Sequence, residues 1–149
     1  MFRGNNPAKV DEKGRLKIPS GFKTQLDADN VTQFYITSAD GKTAQIWPLP
    51  EWEKKEKLLA EHSAMNDAVE KYLNLTSYYG QQVEMDSQAR VLLPQLLRDK
   101  ARLDAEVVVL GKLIYLEVQN EKECKESVEA SAMTVEERKS VADLMRRQG

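Results

Sequence analysis

The chain has 149 residues, 41% hydrophobic and 31% charged, the balance of a globular rather than a disordered protein. No apolar run approaches the roughly 20 residues that span a bilayer, and "MFRGNN" lacks the apolar core of a secretory signal, which argues against membrane insertion and export. One cysteine, Cys124, leaves no internal disulfide and suits a reducing cytoplasm, while the net charge of −2 taken alone argues against a nucleic-acid partner.

The length allows one ordinary domain or two very small ones. The first predicted element is a hairpin. "AKVD" and "RLKIP" flank Glu12, Lys13 and Gly14, and Leu16 and Ile18 alternate with Lys17 in the period of a half-buried strand. Lys17 is exposed only if Leu16 and Ile18 form the buried face. Gly14 supplies the positive φ of a tight turn, and Asp11 suits the first turn position, where its carboxylate accepts backbone N–H groups. Pro19 has no N–H and ends the pairing; Ser20 is then the expected N-cap of a short helix to about Leu26.

A second strand pair follows, "TQFYITS" and "TAQIWPL", joined by a turn at Asp40-Gly41. Pro50 and nearby acidic residues start a helix through "PEWEKKEKLLAEHS", with Trp52, Leu58 and Leu59 as its apolar side. "NDAVEKYLNLTSYYG" reads as another helix, from the cap-like Asn66 to near Gly80.

At residue 81 the plan begins again. "VDEKGRLKIP" at 10–19 returns as "MDSQARVLLP" at 85–94, with Asp11 and Asp86, Arg15 and Arg90, and Pro19 and Pro94 each 75 residues apart. Val91 and Leu93 replace Leu16 and Ile18, and "QLLRDKARL" replaces the first short helix, with Leu97 for Phe22. Ala89 stands where Gly14 stood, so the second turn either is of another type or carries strain. The strands "AEVVVLG" and "LIYLEV" complete a second strand–strand–helix–strand–strand unit. A unit of that size buries too little surface to stand alone, and two sharing one core is the physical case for joining them. "NEKECKESVEASAM" is predicted helical, and "TVEERKSVADLMRR" follows with Thr134 and Glu137 spaced as a capping box.

The charge is unevenly spread. Residues 1–26 carry Arg3, Lys9, Lys13, Arg15, Lys17 and Lys23 against Asp11 and Glu12, a balance of +4, and a polyanion meets local charge. An Asp-held arginine fork is suited to base edges or phosphates; the plainer alternative is that each Asp-x-x-x-Arg pair only shapes its hairpin. Trp47, Trp52 and the Tyr78-Tyr79 pair read as packing residues rather than base-stacking ones. His62 is the only histidine and is expected on the surface; neither it nor Cys124 sits in a catalytic or zinc motif, so no enzyme, cofactor or metal is expected.

Four stretches in this order and spacing resemble the MraZ family of bacterial transcriptional regulators: "MFRG" at 1–4, "VDEKGRLKIP" at 10–19, "WPLPEWE" at 47–53 and "MDSQARVLLP" at 85–94. The resemblance runs to about residue 125. It implies an α+β, mainly β fold: two tandem swapped-hairpin AbrB/SpoVT-like units forming a pseudo-twofold double-ψ-like β-barrel with peripheral helices. The units would be 5–52 and 81–125, with a helical connector at 53–80 and a helical extension at 126–149. The implied function is a cytoplasmic, nucleoid-associated regulator. It would assemble as a closed homo-oligomeric ring on direct repeats of double-stranded promoter DNA, repressing its own division and cell-wall gene cluster, with no small-molecule substrate. Arg15 matches the family's DNA-binding position and Arg90 the second motif; Arg3, Lys13 and Lys17 extend the site on grounds of charge, with Asp11, Gly14 and Asp86 shaping the turns. The alternative is a ring-forming scaffold of the same fold without specific DNA recognition.

Overall fold

The computed structural model of the chain describes residues 1–148. Its strands are β1 (Asn5–Lys9), β2 (Arg15–Lys17), β3 (Gln33–Thr37), β4 (Ala44–Pro48), β5 (Gln81–Glu84), β6 (Arg90–Leu92), β7 (Glu106–Gly111) and β8 (Leu116–Asn120). Its α-helices are α1 (Ser20–Ala28), α2 (Leu49–His62), α3 (Asp67–Tyr78), α4 (Gln95–Ala101), α5 (Glu121–Ala130) and α6 (Val135–Gln148). The expectation of a mainly β chain gives way to a mixed one, because the six helices carry more residues than the strands. The predicted C-terminal extension is helical over α6; its last residue, Gly149, lies outside the described residues.

The strands form a six-stranded antiparallel sheet in the order β1-β7-β8-β4-β3-β5 and a separate two-stranded ribbon of β2 and β6. The large sheet is open, with β1 and β5 at its edges. Pro7 lies in β1, an edge position where a missing N–H does least damage. Most of the pairing crosses between the halves: β1 joins β7, β3 joins β5, β4 joins β8 and β2 joins β6. The exchange is reciprocal at the ribbon's ends. Ile18 donates its N–H to the Ala89 carbonyl at 2.8 Å, and Leu93, 75 residues after Ile18, donates to Gly14 at 3.0 Å.

This pairing merges the apolar faces into one core. Leu16, Ile18, Phe22 and Leu26 of the first half pack in the same cluster as Val91, Leu93, Leu97 and Leu103 of the second. Leu16, Ile18, Val91 and Leu93 are all buried, as the period-two reading of both strands requires. Each such side chain contributes about 1.5–3 kcal/mol of burial, most of it secured only when both halves are present.

Two local expectations are corrected. Ser20 is not the N-cap of α1; it is already helical, and Pro19, with φ −55° and ψ 140°, takes that place without a side-chain cap. The proline ring fixes φ and the extended ψ sets the entry angle, an arrangement repeated by Pro94 before α4. On α2 the apolar side is narrower than predicted: Trp52 is buried, but Leu58 is 61% exposed. The tryptophans pack, as expected. Trp47 stacks on Tyr115 with ring centroids 4.4 Å apart, Trp52 stacks on Tyr35 at 4.7 Å, and the Lys55 ammonium lies over Trp47 at 4.7 Å. Tyr78 stays exposed while Tyr79 packs against the core. His62 is exposed at the end of α2. Asn66 caps α3 through Ala68 and Val69, and Thr134 and Glu137 exchange the two hydrogen bonds of a capping box at 3.0 and 2.9 Å.

Candidate nucleic-acid interface

Both Asp-x-x-x-Arg motifs build the same turn. Asp11 Oδ1 accepts the backbone N–H groups of Lys13 and Arg15, each at 2.9 Å, and its Oδ2 accepts Arg15 Nε at 2.8 Å. Asp86 does the same for Gln88 N, Arg90 N and Arg90 Nε, each at 2.9 Å. The backbone follows suit: Gly14 donates to the Asp11 carbonyl at 2.9 Å and Ala89 to the Asp86 carbonyl at 3.0 Å. The arginine's own backbone N–H, foremost, holds each aspartate below the ordinary carboxyl pKa, and the neighbouring side-chain bond from Nε adds to it.

One carboxylate therefore fixes both the turn and the arginine that follows it. Only Nε is consumed. Among the described residues, no protein acceptor takes the terminal nitrogens of Arg15 or Arg90, whose side chains are 29% and 26% exposed. A guanidinium tethered at one nitrogen and open at two is preorganised for a planar acceptor pair.

The ribbon brings these arginines together. Arg15 faces Leu92, Leu16 faces Val91, and Lys17 faces Arg90. Leu16 and Val91 point into the core, so Arg15, Lys17, Arg90 and Leu92 share the outer face. Arg15 and Arg90 sit on the diagonal, about 7–8 Å apart at the backbone. Lys17 directly opposite Arg90 places like charges in register, which is unfavourable unless an anion lies over them. A two-stranded ribbon is one of the two elements that fit the major groove of B-form DNA.

The other predicted cations are more dispersed. Lys13 is exposed in the first turn beside Arg15. Arg3 is not with them: it precedes β1, next to Gly111, and lies six residue steps of about 3.3 Å each from Lys9 at the turn end of the strand. Lys9 pairs with Glu106 at 3.4 Å and Lys23 with Asp27 at 2.6 Å, so both carry local neutralisation.

Arg98 escaped the sequence reading. Its guanidinium lies against Gly14, where a methyl group would come within 2.7 Å of Nη1, and its Nε donates to the Leu93 carbonyl at 3.0 Å. A sequence signal does exist. The 75-residue offset aligns Arg98 with Lys23 and Arg102 with Asp27, so the second half has lost the carboxylate that neutralises its counterpart.

The family model described as "MraZ protein, putative antitoxin-like" matches residues 1–75 and 80–144. It extends the resemblance past residue 125 into α6. The "Transcriptional regulator MraZ" of Acidobacterium capsulatum is 52% identical over 143 residues, covering 96% of this chain and 98% of its own length. The protein of the same name from Koribacter versatilis is 46% identical over 145 residues, covering 97% and 99%. That from Thiobacillus denitrificans is 36% identical over 121 residues, covering 81% and 82%. The matched segments hold both Asp-x-x-x-Arg turns and the ribbon between them, and this chain belongs to the MraZ family.

Proposed function

We propose that this chain is a sequence-specific DNA-binding transcriptional regulator whose reading element is the β2–β6 ribbon. The observation that carries the proposal is the outer face of that ribbon, where two Asp-tethered arginines and Lys17 gather with their terminal nitrogens unclaimed. Arg15 and Arg90 take base edges, Lys13 and Lys17 take phosphates, and exposed Leu92 offers an apolar contact to a thymine methyl. Arg3 is a separate phosphate contact, if the duplex follows β1. Relatives named transcriptional regulators support the regulatory role.

The finer reading follows the family resemblance. In that reading the strands exchanged between the halves are swapped hairpins related by a pseudo-twofold axis. Several copies in a closed ring engage direct repeats upstream of the chain's own gene cluster and repress it. Linking weak sites raises their effective concentration, which suits an interface with few cations per chain. No described helix is long and apolar enough to cross a membrane.

The test is a salt titration of binding to upstream and scrambled duplexes. Wild type should prefer the upstream duplex, and log affinity should fall linearly with log salt at about −0.9 per phosphate neutralised. Arg15→Ala should narrow the gap between the duplexes, whereas Lys17→Ala should weaken both alike. A flat salt dependence for wild type would remove the ribbon as a DNA-binding surface and leave the scaffold reading.

A further inference from the structure

We propose that Arg98, supplied by the second half of the chain, is a phosphate-binding residue of the first turn. The inference rests on the DNA-binding reading above and assigns a residue outside both Asp-x-x-x-Arg motifs.

Three observations carry it. First, Arg98 repeats the tethering of Arg15 and Arg90. Its Nε is spent on the Leu93 carbonyl at 3.0 Å, and among the described residues no acceptor or carboxylate takes its terminal nitrogens. A half-buried guanidinium without a counterion is costly unless an anion completes it. Second, its position depends on the missing side chain of Gly14. The guanidinium occupies the space a Cβ would fill, in contact with the residue immediately before Arg15. The cation from α4 is thus fixed at the turn that carries Lys13 and Arg15. Third, the equivalent position in the other half is disarmed. Lys23 is held by Asp27 at 2.6 Å, and Ala89 carries a methyl where Gly14 carries none. Among the described residues, only the first turn has this additional cation. A guanidinium tethered at Nε offers two parallel N–H groups, the geometry that a phosphodiester accepts in bidentate fashion. The phosphate is the one flanking whichever base Arg15 reads.

The experiment uses the full chain, measuring fluorescence anisotropy on upstream and scrambled duplexes across a salt series, with thermal unfolding in parallel. Arg98→Met keeps the packing against Gly14 and removes the charge. It should lower affinity for both duplexes by about tenfold and make the salt slope shallower by about one. Lys23→Met should leave affinity and slope near wild type. Arg98→Lys should restore the slope but only part of the affinity, since an ammonium cannot bind in bidentate fashion. If Arg98→Met does not fold, Arg98→Gln replaces it with the same expected loss of slope. A folded Arg98→Met or Arg98→Gln with a wild-type slope overturns the proposal even if its melting temperature falls, because that result marks a structural role only. Loss of all salt-dependent binding by wild type would instead defeat the DNA-binding reading itself, and this inference with it.

Discussion

The two Asp-x-x-x-Arg turns share a scaffold and differ in what they show to solvent. Their hydrogen bonds correspond one for one, from the aspartate to the arginine Nε. Yet Lys13 becomes Gln88, Lys17 becomes Leu92, and the Lys23–Asp27 pair becomes Arg98 and Arg102. The aspartate and arginine of each turn are retained, while the lysines beside the first arginine are not. Two matching turns therefore carry an unequal distribution of charge. The backbone records the same asymmetry. Gly14 has φ 81° and Ala89 has φ 61°, so the second turn is of the same kind as the first and Ala89 bears the strain, about 1–2 kcal/mol. Ala89 is held there from both sides, by its own bond to Asp86 and by the bond it accepts from Ile18.

The largest test of the shared frame is in the core. Leu16→Ala should cost about 2–5 kcal/mol in urea unfolding, with one transition reporting loss of both halves. Two separated transitions would show that the halves are independent after all. Next is the ligand face. Arg15→Ala should cost about 1–3 kcal/mol of upstream-DNA affinity and Arg90→Ala less, because Lys13 and Arg98 flank only the first turn. Equal losses would make the pair functionally symmetric, and a greater loss at Arg90 would reverse the assignment.

The turns themselves give smaller effects. Ala89→Gly should stabilise the protein by up to about 1 kcal/mol, the relieved strain being partly offset by a more flexible unfolded chain. Gly14→Ala should destabilise it, since the added methyl both meets Arg98 and requires a positive φ. Matching effects of opposite sign would weaken the case that Arg98 sits on Gly14. The smallest effect is acid sensitivity. Folding lowers both aspartates below the ordinary 3.8. Their contribution to stability is complete above that value and is lost as pH falls through the lower folded-state values. The urea midpoint of wild type should therefore drop further between pH 6 and pH 3 than that of an Asp11→Asn, Asp86→Asn double variant. The same drop in both would assign the acid response elsewhere.

Much of this was legible from short-range pattern. Asp11 and Gly14 marked the turn, Leu16 and Ile18 the buried face, Pro19 the end of pairing, and Thr134 with Glu137 a helix start; the turn and the helix start rest on interactions within a few residues, and the buried face shows in its period of two. The strand partners were beyond local pattern, because nothing near Asn5–Lys9 indicates that β7 lies beside it. Arg3 looked like a neighbour of Arg15 because both are basic and close in sequence, but a strand's length lies between them. Arg98 lay hidden for the opposite reason: its place beside Gly14 exists only once the halves have interleaved.

The pairing of β1 with β7 also sets a timetable for the newly made chain. Asn5 lies opposite Leu110 and Lys9 opposite Glu106, so β1 leaves the ribosome well before its partner β7 and must wait for it. At bacterial elongation rates of up to about 20 residues per second, that wait is several seconds or more. Through it the strand must avoid pairing with other chains. Its sequence, Asn-Asn-Pro-Ala-Lys, is suited to waiting: two amides, a lysine and a proline give a passing strand edge little to hold.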